Sequence, residues 1–261
     1  MESSSSPGNG EAPGSQSPVR YRLTPERIEQ LAVLLGRFGL PPSEDIWPRL
    51  NRALIHRSYR TEAGLDEDNE RLEFLGDSVI GLAATEYILR QQPLSDEGYL
   101  SKLRAAIVSR ALLGEIGRRM ELGPLLLLGT GEARSGGRRR GSILGCALEA
   151  ICGALYLTYG WDQVRPALEE MVILPAMESR VESGVVDFKS QLQEWTQKYY
   201  QLVPSYRVVS EGGPEHKKSF RVQVYLEDRL LGEGAGTRKK SAENEAAREA
   251  IERLMDEGEQ L

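Results

Sequence analysis

The sequence has little cysteine, with two residues of this type, Cys146 and Cys152, in a chain of 261. Both lie in one apolar segment, as reduced thiols commonly do, and two cysteines do not make a disulfide framework. No signal peptide is recognisable, and the apolar segment is too short and interrupted to predict a membrane span. These absences predict a cytoplasmic protein that has no membrane partner.

The chain also lacks an excess of positive charge. Its formal net charge is -6 and its sequence pI is about 5.3. Composition alone therefore does not indicate binding to nucleic acid. Any contact with RNA would have to depend on local basic patches rather than on the overall field.

A cluster of carboxylates stands out between residues 69 and 78, in the stretch NERLEFLGDS. In a helix, Glu70, Glu73 and Asp77 would lie within roughly 60° of one another. Like charges on one stripe repel, and a divalent cation would offset that repulsion. A solvated outer face of a helix would have the same pattern. The cluster by itself leaves a metal site and a solvated surface equally open.

A second segment, residues 141–161, contains a single charged residue, Glu149. Apolar residues surround it on every side, which predicts a buried helix. Glutamate is almost never fully buried unless it is paired, so Glu149 requires a basic side chain, a shared proton or a metal ion. Carboxylates that converge from two helices would form a site for a hard cation.

These segments resemble the ribonuclease III family of double-stranded-RNA endonucleases. NERLEFLGDS is similar to the family signature, and residues 53–59 (ALIHRSY) are similar to its ALTHRSY segment. Residues 96–98, 101–104, 131–132 and 135–138 follow the family's later motifs in order. The resemblance covers roughly residues 24–256, and several ordered motifs are far more specific than one short pattern.

The resemblance and the residue patterns predict an all-α endonuclease domain followed by an α+β double-stranded-RNA-binding domain with the order α-β-β-β-α. No strand pattern precedes residue 200, whereas residues 220–226 alternate with period two. The predicted organisation is a disordered tail (1–22), the endonuclease domain (23–182), a linker (183–186), the RNA-binding domain (187–256) and a second tail (257–261).

Several local predictions bear on the site. A second helix is expected to end near His56, for which a structural rather than a catalytic role is predicted. A further helix is expected from a cap at Ser95 through Ser109. Residues 129–140 (GTGEARSGGRRR) predict a flexible basic loop. It is either a solvated connector or a segment whose arginines contact phosphate or order the loop.

The resemblance implies a centre with two Mg²⁺ ions, held by Glu73, Asp77, Glu149 and a fourth carboxylate three residues before Glu149. In this sequence the fourth position is Cys146. A neutral thiol is a poor ligand for Mg²⁺, which prefers hard oxygen donors. We therefore expect reduced activity with a greater need for metal, and Mn²⁺ as a possible substitute. Zinc binding at Cys146 is disfavoured, because Cys152 is expected to point elsewhere.

The function implied is hydrolysis of phosphodiester bonds in duplex RNA, leaving 5′-phosphate and 3′-hydroxyl ends, in the processing of ribosomal, messenger and other structured RNAs. Asp77, Glu149 and Glu70 are predicted to be catalytic, and Glu97 to have a secondary role. Phe74 is predicted to insert into the partner subunit of a homodimer. The alternative function is a catalytically weak or silent double-stranded-RNA-binding protein, because of Cys146.

Three regions of the second domain are predicted to contact RNA. The first helix offers short polar side chains for 2′-hydroxyls, and a strand-joining loop and the start of the last helix offer lysines for phosphates. The predicted contacts are Ser190, Gln193, Gln197, His216, Lys217, Lys218, Lys239 and Lys240.

Overall fold

The fold is that of a computed structural model, which describes residues 23–92, 95–182, 187–212 and 218–256. The predicted tails and linker, and the predicted RNA contacts His216 and Lys217, lie outside the described residues. The domain boundaries therefore stay predictions.

In the residues described, the first part of the chain consists of helices and the turns that join them, with one isolated bridge between Ile55 and Leu127. Its helices are α1 (Pro25–Arg37), α2 (Ile46–Ala53), α3 (Arg57–Ala63), α4 (Glu70–Gln91), α5 (Glu97–Ile107), α6 (Arg110–Arg119), α7 (Leu122–Leu125), α8 (Thr130–Arg134), α9 (Gly141–Leu168) and α10 (Leu174–Glu182). The prediction of an all-α first domain is confirmed.

The predicted second helix is present as α2, but it ends at Ala53 rather than near His56, and a separate helix, α3, begins at Arg57. At the break, Ile55 pairs with Leu127, and the backbone N–H of His56 donates to the carbonyl of Leu127 at 3.0 Å. The His56 ring nitrogen Nδ1 then accepts from the backbone N–H of Ser58 and caps α3. This capping contact is the structural role predicted for His56.

Two further local predictions need correction. Helix α5 is capped by Asp96 rather than Ser95, since the Asp96 side chain accepts from the backbone N–H of Tyr99 at 2.7 Å. The predicted flexible loop at 129–140 is instead ordered into α8 and a 3₁₀ turn at Gly137–Arg139. Its arginines help to order it, because Arg138 donates to the carbonyl of Leu126 at 2.7 Å and Arg140 pairs with Glu132 at 2.6 Å.

Helix α9 is the central element of the first domain. Its backbone leaves helical geometry at Gly160, whose φ is 75°, and a π-helical turn at Glu169–Ile173 leads into α10. The segment Gly141–Arg180 contains a stretch apolar enough to cross a membrane by composition, but 67% of that stretch is buried inside the protein. The helix therefore forms part of the buried core of this domain.

The second part of the chain has the predicted order of elements: α11 (Phe188–Tyr200), β1 (Ser205–Gly212), β2 (Ser219–Leu226), β3 (Arg229–Gly236) and α12 (Lys239–Asp256). The strands form an antiparallel sheet in the order β1-β2-β3. Alanines on one face of α12, including Ala246 and Ala250, lie against Gly232 and Gly234 of β3. These small residues let the helix pack closely on the sheet, and the α+β prediction is confirmed.

Candidate active site and RNA-binding surface

The site is assembled where α4 crosses α9 at close range. A Cβ atom added to Gly76 would lie 1.7 Å from the carbonyl oxygen of Glu149, and one added to Gly153 would lie 2.3 Å from that of Leu72. Only glycine permits backbones to approach so closely. The crossing places the carboxylate stripe of α4 directly beside Glu149.

The start of α4 is fixed by a buried aspartate. The side chain of Asp68 accepts from the backbone N–H of Glu70 at 3.1 Å and lies 3.4 Å from the Arg60 guanidinium. The backbone N–H of Asn69 donates to the carbonyl of Ile55 at 2.9 Å. These contacts set the rotation of the helix, and therefore the direction in which its carboxylates point.

An open pocket collects the predicted acidic residues. Its lining residues are Glu70, Glu73, Phe74, Asp77, Arg110 and Glu149. The prediction that carboxylates from two helices converge at one point is therefore confirmed for α4 and α9. The pocket lining does not include Glu97, which begins α5 and accepts a hydrogen bond from the Ser101 hydroxyl at 2.7 Å.

Glu149 is the buried member of the group, with 4% of its surface exposed. Among the described residues, none donates a hydrogen bond to its carboxylate, and the nearest opposite charge is that of Arg110. Burial, and then the negative charge of Glu73, raise the pKa of Glu149 to about 7. The side chain therefore fits the sequence-based requirement for a shared proton or a cation.

Cys146 lies one helical turn before Glu149, beside the two carboxylates at the inner end of the pocket. Its sulfur and one carboxylate oxygen each of Glu73 and Glu149 all lie within 4.8 Å of one another. Burial, and then a hydrogen bond to Glu73, raise the pKa of the Cys146 thiol to about 12, so the thiol is protonated in the absence of metal. Cys152 is fully buried and outside this cluster, as the sequence predicted.

Arg110 is a pocket residue that the sequence did not reveal. Its guanidinium lies 3.3 Å from a carboxylate oxygen of Glu73. A second close crossing, of α6 with α9, brings it there: a Cβ atom on Gly145 would lie 3.0 Å from the Arg110 carbonyl, and one on Gly114 would lie 2.3 Å from that of Gly141. Gly141 and Gly145, four residues apart in α9, indicate in the sequence that a helix crosses α9 closely there. They do not indicate that the crossing helix is α6.

Phe74 projects from the rim of the pocket with 81% of its surface exposed. Its ring is therefore available for contact with another molecule. The geometry agrees with the predicted contact to a second subunit, which itself stays a prediction.

The predicted RNA contacts of α11 share one exposed face. Ser190, Gln193 and Gln197 are exposed, while Phe188 and Leu192 are buried on the opposite side. The Ser190 hydroxyl donates to the Asp187 carboxylate at 2.9 Å, so it also takes part in capping the helix. The two amide side chains face outward, where they can reach a ribose hydroxyl.

The lysines fall into two groups. Lys239 and Lys240 begin α12, are exposed, and form no ion pair with an acidic side chain of the described residues. The helix dipole adds positive potential at this end. Lys218, by contrast, lies 3.4 Å from the Glu211 carboxylate in the described structure.

Comparison with protein families defines the class of the protein. Residues 49–176 match a family model described as ribonuclease-III-like, and residues 188–254 match one described as a double-stranded RNA binding motif. A helical domain with an acidic pocket, followed by this second domain, defines a nuclease of double-stranded RNA.

Individual relatives extend the match over nearly the whole chain. Ribonuclease 3 of Leptospira interrogans is 41% identical over 240 residues, covering 90% of this chain and 94% of the relative. Ribonuclease 3 of Syntrophobacter fumaroxidans is 44% identical, covering 86% and 93%. The chain belongs to the ribonuclease III family and is a double-stranded-RNA-specific endoribonuclease.

A solved structure supports the fold of the first domain. The nuclease domain of ribonuclease III from Campylobacter jejuni is 34% identical, with a TM-score of 0.50, and the match covers 54% of this chain and 95% of that domain. That structure is described as flexible in a region involved in dimer formation.

Proposed function

We propose that the chain cleaves duplex RNA with Mg²⁺ held in the carboxylate pocket by Glu73, Asp77 and Glu149. The observation that supports this most strongly is Glu149, a buried carboxylate that faces two others and accepts no hydrogen bond from a described residue. Such a group requires a cation when it is ionised. The donors are carboxylate oxygens, the ligands that Mg²⁺ prefers.

The donor set fits one divalent ion better than two. Cys146 offers a neutral thiol where the resemblance implies a carboxylate, so a second Mg²⁺ would lack one anionic ligand. Water can take that position, since Mg²⁺ usually keeps several waters. We therefore propose activity that demands more metal than the family pattern implies, and that Mn²⁺ supports as well.

The side chains divide the work by position. A divalent ion held in the pocket would activate water and relieve negative charge on the leaving oxygen. Glu149 fixes the inner end of the site because it is buried, and Arg110 holds one oxygen of Glu73. Asp77 and Glu70 are exposed at the mouth, where Asp77 would complete the ligands of the ion and Glu70 would lie next to the RNA backbone. Glu97 is assigned only a supporting role.

We propose further that the active form is a symmetric homodimer joined through Phe74. Two centres related by a twofold axis would each cut one strand, and the products would bear 5′-phosphate and 3′-hydroxyl ends. Structured precursors of ribosomal and messenger RNA in the cytoplasm are the proposed substrates. The polar face of α11 and the lysines of α12 would hold the duplex by its shape.

The test is cleavage of a labelled RNA hairpin with a long stem, over titrations of Mg²⁺ and of Mn²⁺. Wild-type protein should make a staggered cut on both strands. Glu149→Gln, which keeps the size of the side chain and removes its charge, should bind the hairpin and not cut it. Equal cleavage by the variant would refute the assignment of Glu149, and tight binding without cleavage in either metal would indicate a silent RNA binder.

RNA binding has its own test. The double variant Lys239→Glu/Lys240→Glu should weaken hairpin binding and lower the slope of log affinity against log salt by about one to two, since each phosphate contact contributes just under one. Arg119→Glu is the control for reversal of a positive charge outside the RNA-binding domain, because Arg119 lies on the first domain and is paired with Glu115. Equal effects of the two changes would refute the assignment of the α12 lysines.

A further inference from the structure

A cluster of three possible metal ligands, Glu73, Cys146 and Glu149, contains one soft donor and two hard ones. The Cys146 sulfur and oxygens of Glu73 and Glu149 lie within 4.8 Å of one another. Four-coordinate zinc has ligands at about 2.0–2.3 Å, which places tetrahedral donors roughly 3.3–3.7 Å apart. Side-chain rotations that move each donor by about an ångström therefore bring all three to a single ion.

A second observation indicates that this cluster is built to hold a ligand. Glu149 is more than nine-tenths buried, faces the pocket, and receives no hydrogen bond from a described residue. Among the described residues that line the pocket, Arg110 is the one cation, and it contacts Glu73 instead. Glu149 therefore has no hydrogen bond or ion pair with a described residue, and it lies one helical turn from Cys146.

We propose that this centre also binds thiophilic divalent cations, Zn²⁺ and Co²⁺, through the thiolate of Cys146 together with Glu73 and Glu149. A metal–sulfur bond forms as the S–H bond breaks, the proton passes to solvent, and no group is oxidised or reduced. The absence of a second thiol disfavoured such a site from the sequence. In the structure, the carboxylates of Glu73 and Glu149 lie where they can serve as the other ligands, and carboxylates are ordinary ligands of zinc.

The thiol changes which ion the centre selects. Mg²⁺ gains little from sulfur, whereas Co²⁺ and Zn²⁺ bind thiolate strongly and stand above Mn²⁺ in the general order of affinities. Because Zn²⁺ would occupy Glu73 and Glu149, it would compete with Mg²⁺ and inhibit cleavage. This part of the inference rests on the proposed function, since it takes Mg²⁺ to be the activating ion.

The test uses Co²⁺ as a spectroscopic probe on the full chain. Cobalt bound to thiolate gives a charge-transfer absorption in the near ultraviolet, which carboxylates alone do not give. Wild-type protein should show this band, saturating with one Co²⁺ per chain and abolished by added Zn²⁺. Cys146→Ser should lack the band, and Glu149→Gln should need at least several-fold more Co²⁺ to reach it.

Cys152→Ala is the matched control, because Cys152 lies on the same helix but is fully buried outside the cluster. It should keep the band, and circular dichroism should show each variant folded. Absence of the band in wild-type protein, or its persistence in Cys146→Ser, would overturn the proposal.

A parallel cleavage assay separates this inference from the proposed function. Zn²⁺ should inhibit Mg²⁺-driven cleavage by wild-type protein, and Cys146→Ser should require at least tenfold more Zn²⁺ for the same inhibition. Cleavage with Mg²⁺ but no thiolate band would overturn the thiophilic site alone. A thiolate band with no cleavage in any metal would support the site and refute the proposed function.

Discussion

Replacing Glu149 with glutamine should stabilise the metal-free protein at alkaline pH. Burial raises the pKa of Glu149 from 4.5 to about 7. Between these values the folded protein binds a proton that the unfolded chain has released, so the free energy of unfolding falls as pH rises through this window. A glutamine side chain carries no charge at any pH, so the substitution removes that loss.

The size of the effect follows from the interval between the two pKa values. Each pKa unit corresponds to about 1.4 kcal/mol, so the interval allows roughly 3 kcal/mol as an upper bound. The pocket is open on the side of the exposed Asp77, and water there screens part of the cost. We expect the variant to be more stable by about 1–2 kcal/mol above pH 7, and the difference to shrink below about pH 5.

Urea unfolding in the presence of a chelator, at several pH values, measures this directly. Glu115→Gln is the control, because Glu115 is an exposed carboxylate on α6, where removal of the charge should change stability little. Saturating Mg²⁺ should stabilise wild-type protein more than the variant, because only wild-type protein has the buried carboxylate to bind it. Parallel pH profiles for wild-type protein and Glu149→Gln would refute the reasoning.

Three more predictions concern the crossing, the thiol and the exposed aromatic residue. Gly76→Ala should destabilise the protein by about 2 kcal/mol or more in urea unfolding and abolish cleavage, because the new methyl group would collide with the backbone of α9. Gly36→Ala is the control and should be neutral or slightly stabilising, because its methyl group would have no atom within 4 Å. Similar losses of stability in both variants would contradict the role of the crossing. Cys146→Asp should lower the Mg²⁺ concentration for half-maximal cleavage by several-fold, and an unchanged titration would show that residue 146 contacts no Mg²⁺. Phe74→Asp should shift the protein from dimer to monomer in sedimentation, and a persistent dimer would place the interface elsewhere.

Much of the site could be predicted from local sequence because its signals are local. The carboxylate stripe of α4 follows from helical periodicity, and the burial of Glu149 follows from being the one charge in an apolar segment. The order of elements in the second domain follows from the change of period from helix to strand.

The errors arose where distant residues decide the structure. The chain breaks between α2 and α3 because Ile55 pairs with Leu127, which lies far away in sequence. The loop at 129–140 is ordered because Arg138 reaches the carbonyl of Leu126. Arg110 enters the pocket through a crossing of helices whose partner no local pattern specifies.

The contact of Gly76 with the backbone of Glu149 has a consequence for how this centre changes over evolution. The spacing between the two acidic helices is set by main chain against main chain, so it does not depend on which side chains point into the pocket. A substitution at residue 146 is therefore expected to leave this spacing unchanged, so a thiol, a carboxylate or an imidazole there would offer a different donor beside the same two carboxylates. One substitution at residue 146 would thus change the preferred metal ion while the distance between α4 and α9 stays the same.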